Sequence, residues 1–329
     1  MRKSSFSTLA TALFLVVPLV VTNYFCHVKK SDKNNPDPVA TVLSKEWKAP
    51  DSSELGHTRQ DDLIRYGRDL ILHTGDFFGP HGTIAPISNG MNCGNCHIDA
   101  GTRIWGNNFS MVAATYPIYR NRSGKIETVE MRINDCFERS LNGKKLPDSV
   151  KEMKAMIAYI KWVGKDVAKG MKTKGSGIEK LPFLNRAADT TKGKIVYVTN
   201  CQRCHGKNGE GKLADNKKEY LYPPLWGANS YNTGAGIYQL SKFAGYIKDN
   251  MPLGTTFAIP QLSVEQAWDV AAFVNSQPRP SKDITMDWPD ISTKPFDYPF
   301  GPYPDSFSSR QHKYGPFAQI QQSHQKTHS

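Results

Sequence analysis

The chain has 329 residues, room for two modest domains with tails. A hydrophobic content of 39% is low for a protein with large side-chain cores, and a formal net charge of +12 suits anionic small molecules, acidic proteins or an anionic membrane surface. Nucleic acid fits poorly, because no Lys/Arg-rich run stands on a recognisable nucleic-acid module.

Residues 1–28 begin Met1-Arg2-Lys3 and continue as an apolar run from Phe6 to Phe25, interrupted by Thr, Pro18 and Asn23. This reads as an export segment. No small-x-small cleavage site follows Val21, and Asn23, Tyr24 and Phe25 are too bulky for a lipoprotein box before Cys26. The run is nearly long enough to cross a bilayer, so a retained membrane anchor is preferred over a cleaved signal. Either way the rest of the chain is expected in the periplasm, tethered to the inner membrane if the anchor stays. Residues 29–52 are polar, with Lys29, Lys30, Lys33, Pro36 and Pro38, and read as a tether.

A first domain is expected over 53–168. The set Leu63, Ile64, Tyr66, Gly67, Leu70, Ile71 predicts an amphipathic helix from Asp61. A Gly/Pro-rich loop from Gly75 to Gly90 leads into Cys93-Gly94-Asn95-Cys96-His97, and 102–119 looks irregular. Helices are expected from Glu127 to Leu141, stopped by Asn142-Gly143, and from Asp148 to Gly164 with Val150, Met153, Ile157, Ile160 and Val163 on one face. Residues 169–188 read as a linker. A second domain over 189–281 begins with a short helix, Lys192–Val198, running into Cys201-Gln202-Arg203-Cys204-His205, and closes with a helix near Val264–Asn275. The tail, 282–329, is rich in Pro, Gly and aromatics; it is expected to be extended, with its last dozen residues disordered.

C-x-x-C-H is the attachment signature of a c-type haem: the two thiols form thioethers to the porphyrin, and the histidine reaches the iron. Neither copy has the second ligand pair that a zinc site needs. Two copies about a domain apart predict an all-α protein of two cytochrome c-type domains in tandem, with an N-terminal export or anchor segment and an extended C-terminal tail. Each of Cys93, Cys96, His97 and Cys201, Cys204, His205 would hold one covalent haem. Four propionates would lower the net charge to about +8. Of the six cysteines, Cys26 and Cys136 remain, read as unrelated thiols rather than a disulfide.

The opposite face of each iron needs a ligand. In the second domain Met251, in the loop Asn250-Met251-Pro252-Leu253-Gly254, is the methionine downstream of His205; Lys248 could compete. Thioether ligation raises the potential, which suits an exit port for electrons. In the first domain Met111, Met131 and Cys136 are all candidates. If the segment is helical, Arg132 and Cys136 share a face with Arg139 and Ser140. Guanidinium groups beside a thiol favour the thiolate, a strong haem ligand; a buried, inert cysteine is the competing reading. Arg120 and Arg122, grouped with Arg132 and Arg139, could form a pocket for a divalent anion, or be solvated surface groups.

Cys93–Thr102, Tyr116–Arg122, Arg132–Gly143, Pro223-Pro224-Leu225-Trp226-Gly227 and Gly234-Ala235-Gly236 together resemble the two-haem thiosulfate dehydrogenases, which also act as tetrathionate reductases. The likeness runs from about Gly56 to Phe317, and the arginine–cysteine stretch is its specific part. It implies that His97 and Cys136 hold an active-site haem, that His205 with Met251 or Lys248 holds an electron-transfer haem, and that a cytochrome takes the electrons. Two thiosulfate dianions must then meet sulfur to sulfur against their Coulomb repulsion, which the arginines would offset. Cys136 would bind iron and take a sulfur species transiently. The rival readings are a plain two-haem electron carrier, with Met111 or Met131 on the first iron, and a sulfur-oxidation cytochrome subunit that works on a carrier protein.

Overall fold

The computed structural model describes residues 46–327. In chain order its helices are α1 (Arg59–Leu72), α2 (Thr74–Phe78), α3 (Ile98–Gly101), α4 (Val112–Thr115), α5 (Val129–Arg139), α6 (Lys151–Val163), α7 (Thr190–Asn200), α8 (Gln202–His205), α9 (Leu240–Asn250), α10 (Val264–Ser276), α11 (Ser309–Tyr314) and α12 (Ala318–Thr327). Two small antiparallel hairpins are the sheet content of the described residues: β1 (Ile118–Arg120) with β2 (Lys125–Glu127), and β3 (Lys212–Leu213) with β4 (Tyr220–Tyr222). The expected all-α character holds.

The same helix pair frames both halves. Thr58 and Asp61 form a capping box that starts α1, and α1 buries Ile64, Leu70 and Ile71 against α6. The two backbones meet at Gly67, where a Cβ would lie 2.0 Å from the Ala155 carbonyl oxygen. In the second half Asp189 caps α7, Ser263 and Gln266 box the start of α10, and a Cβ on Gly193 would lie 1.9 Å from the Asp269 carbonyl oxygen. Glycine is required at both crossings because only a bare Cα lets the helices approach this closely.

The predicted helices are present with ends shifted by a few residues, while α9 was not foreseen. It carries Leu240, Phe243, Ala244 and Ile247 on its buried face, a regular helical period. Its first turn has no side-chain cap of its own. Asp297 of the tail does that work, accepting the Ser241 N–H at 2.9 Å and the Gln239 side-chain amide at 2.8 Å.

Both ends of the chain are tied down more than composition suggested. The expected tether ends early: Trp47 is buried in the first core and donates its N–H to the Lys174 carbonyl at 3.1 Å. From Pro278 to Phe307 the tail is irregular, a run of turns and bends with a 3-10 turn at Ile291–Thr293 rather than the expected extended chain, and over Ala318–Thr327 the expected disorder is replaced by α12. Two anchors hold this end of the chain, Phe317 just before α12 and Ile320 within it, both buried in the second core. His312 and His324 both hydrogen-bond Asp305, at 2.8 and 2.7 Å. The segment expected to export or anchor the chain lies outside the described residues; among those described, no helix is long and apolar enough to cross a membrane.

Candidate active site

A cavity of about 900 Å³ opens beside the first C-x-x-C-H motif, with Cys93, Cys96 and His97 in its wall. His97 donates from Nδ1 to the Asn107 carbonyl oxygen, and its ring packs on Phe109 with centroids 4.5 Å apart. That bond fixes the tautomer and leaves Nε2 free as a ligand. Burial pushes the imidazole pKa down to about 4, so the ring is neutral, the form that binds a metal. His205 repeats the device in the second half: Nδ1 bonds the Pro223 carbonyl at 2.8 Å, and burial lowers its pKa. Paired thiols, a backbone-oriented neutral imidazole and a roomy apolar cavity fit a covalently attached haem.

Helix α5 forms the facing wall. Thr128 caps its start, while Phe137 and Asn134 hold its inner side. Phe137 meets Phe78 edge to face at 5.5 Å, and the Asn134 amide trades hydrogen bonds with the backbone of Leu146 at 2.8 and 2.9 Å. With that side fixed, Arg132, Cys136 and Ser140, spaced four apart, all line the cavity. Burial pushes the Cys136 thiol up, and Arg132 pulls it the other way without fully offsetting it. The expectation that the arginines alone favour a thiolate is therefore met only in direction. Cys136, with Asp135 and Tyr116, in turn holds the Arg132 guanidinium above its ordinary pKa.

The other arginines stand apart from the cavity wall. Arg139 is bonded to Asp135 and grips Asp287 with both terminal nitrogens at 2.8 Å. Arg122 also holds Asp287, at 2.9 Å from Nε, and stacks over Trp288 at 4.7 Å. Arg120 is half-buried, 3.7 Å from Glu127 and 3.4 Å from the Tyr116 hydroxyl. Of the five catalytic candidates, Arg132 and Cys136 are brought together at the cavity, whereas Arg120, Arg122 and Arg139 form a layer behind it.

In the second half Met251 ends α9 and packs, partly buried, against the core that also meets Cys201, Leu225 and Trp226. Lys248 lies in the last turn of α9 and is half-buried. Met111 and Met131 do not line the first cavity.

Sequence reasoning missed one wall entirely. Gln239, Ser241 and Lys242 at the start of α9, together with Phe296 and Asp297 of the tail, reach the first cavity from the far half of the chain. The period of α9 could have revealed the helix; nothing local could have revealed where its first turn points. The Tyr246 hydroxyl of α9 also donates to the Asn95 carbonyl inside the first motif at 2.8 Å, and the Asn250 amide donates to the Trp105 carbonyl at 3.1 Å.

Comparison with known proteins agrees with this geometry. Residues 85–172 match the SoxA/TsdA cytochrome c domain family, and residues 190–278 match the cytochrome c family. The chain is 43% identical to the thiosulfate dehydrogenase of Allochromatium vinosum over 220 residues, which covers 66% of this chain and 76% of that protein. It is 36% identical to the thiosulfate dehydrogenase of Thiomonas intermedia, covering 73% and 74% of the two chains. Among solved structures, the thiosulfate dehydrogenase (TsdBA) of Marichromatium purpuratum matches with a TM-score of 0.67 and 30% identity over 75% of this chain. The match covers 53% of that longer chain, so this protein spans about half its length. The chain belongs to the thiosulfate dehydrogenase family, built as two tandem cytochrome c domains with two covalently bound c-type haems.

Proposed function

We propose that the protein joins two thiosulfate ions into tetrathionate, reversibly, and passes the electrons through its two haems to an external cytochrome. The observation that carries this reading is the stripe of Arg132, Cys136 and Ser140 facing the same cavity as His97. The relatives named above are thiosulfate dehydrogenases, which supports it. In this reading the first domain (53–168) holds the active-site haem through Cys93, Cys96, His97 and Cys136. The second (189–281) would hold the electron-transfer haem through Cys201, Cys204 and His205, with Met251, or Lys248, as a further candidate ligand. Haem attachment of this type takes place outside the cytoplasm, so the N-terminal segment is read as the export or anchor element that delivers the chain to the periplasm.

Each haem, when bound, supplies acceptance of one electron at a time. The chain supplies the rest. Forming the sulfur–sulfur bond removes two electrons and no protons, so charge rather than proton transfer is the difficulty. Arg132 donates from Nη1 to Asp135 at 2.9 Å, and its remaining N–H donors would take the sulfonate oxygens and offset the repulsion between dianions in a low-dielectric cavity. As a guanidinium it stays charged at any working pH. Arg120, Arg122 and Arg139 are paired with Glu127, Asp287 and Asp135 behind the wall, where those carboxylates largely offset their charge.

A plain electron carrier would place Met111 or Met131 over the first haem, and neither faces the cavity; this counts against the rival. The test is an assay of haem-loaded protein with thiosulfate and ferricyanide, beside Cys136→Gly. We expect turnover in the wild type and its near-complete loss in the variant. No turnover in either direction by the wild type would sink the enzyme reading, and full activity in the variant would remove Cys136 from the site.

A further inference from the structure

Lys242 is set where the chain's own electrostatics oppose it. It lies in the first turn of α9, an 11-residue helix with no acidic residue in that turn, where the helix dipole disfavours a cation. It lines the cavity of the first domain although its helix belongs to the second. Lys242 is an exposed residue that lines the cavity; crowding by the surrounding protein and then the like charge of Arg132 act to lower its pKa. Asp297 acts in the opposite direction, but that carboxylate is engaged by Gln239 and by the Ser241 N–H. Among the described residues Lys242 makes no ion pair. A cation held near a helix N-terminus and facing a guanidinium, with no anion assigned to it, is a site waiting for one.

We propose that Lys242 is the second cation of the substrate pocket, taking the sulfonate group of one thiosulfate while Arg132 takes that of the other. Tetrathionate, the joined product, has a sulfonate at each end and spans the two. The site is therefore composite: each domain contributes one cation, and neither domain alone can bind both dianions. This assignment rests on the thiosulfate dehydrogenase reading given above.

The test is equilibrium binding of tetrathionate to the oxidised holoprotein, which has no electrons to give, followed by Soret difference absorbance. Steady-state kinetics with thiosulfate accompany it. Loss of a charge-assisted hydrogen bond predicts tetrathionate binding weaker by about 10- to 100-fold in Lys242→Met. KM for thiosulfate should rise with it. Lys242→Arg should recover most of the affinity, and Lys242→Gln provides a second neutral variant if the methionine variant loads haem poorly. Wild-type affinity in both neutral variants overturns the proposal. So does a shifted haem potential with unchanged affinity, which would assign Lys242 to a haem propionate. A wild type that neither binds tetrathionate nor turns over thiosulfate would instead remove the reading on which the proposal rests.

Discussion

Asp287 is the hinge of the arginine layer, and Asp287→Asn keeps its shape while removing its charge. The carboxylate accepts from Arg139 twice at 2.8 Å and from Arg122 Nε at 2.9 Å. The three side chains are 8%, 15% and 11% exposed, so water screens them little. Removing one partner from a buried pair costs about 3–5 kcal/mol. Arg139 keeps Asp135 and Arg122 keeps Trp288, which puts the expected loss near the lower end, about 3 kcal/mol. At about 2–4 °C per kcal/mol, the melting midpoint should fall by roughly 6–12 °C. The assay is calorimetry of the holoprotein, with KM for thiosulfate measured in parallel. Because neither guanidinium lines the cavity, KM should stay within about a factor of three. An unchanged midpoint with KM moved tenfold would refute the reasoning and return Arg122 and Arg139 to the substrate.

Further predictions follow from the packing and the tail. Gly67→Ala and Gly193→Ala each force a Cβ to within 2.0 or 1.9 Å of a backbone oxygen, where nothing flexible can yield. Each should cost about 1–3 kcal/mol in urea unfolding, and unchanged midpoints would contradict the close crossings. Burial raises the Asp305 carboxyl, but hydrogen bonds from His324 and His312 outweigh it and hold the pKa below the usual value. A depressed carboxyl stabilises above its unfolded value, about 4, and loses that contribution as pH falls through the folded value. The α11–α12 tail should therefore resist proteolysis at pH 6 and loosen near pH 3; release already at pH 5 would show that Asp305 does not hold it. Met251→Ala should abolish the methionine-to-iron charge-transfer band of the oxidised protein, whereas Lys248→Ala should leave it intact. The opposite pattern would make Lys248 the ligand.

The chain by itself determined what depends on neighbours a few residues apart. Cys93 to His97 and Cys201 to His205 specify covalent haem attachment because the chemistry is complete within five residues. The four-residue spacing of Arg132, Cys136 and Ser140 puts them on one face of any helix, whatever surrounds it. Tertiary structure decided what depends on distant partners. Asp287, 148 residues from Arg139 and 165 from Arg122, turns two candidate substrate arginines into a paired layer. Asp297 starts α9 from 56 residues away and so brings Lys242 to the other domain's cavity. Burial, which no spacing encodes, raises the Cys136 thiol that its arginines alone would lower. Coulomb energy and desolvation depend on distance in space, and there the fold, not the order of residues, has the last word.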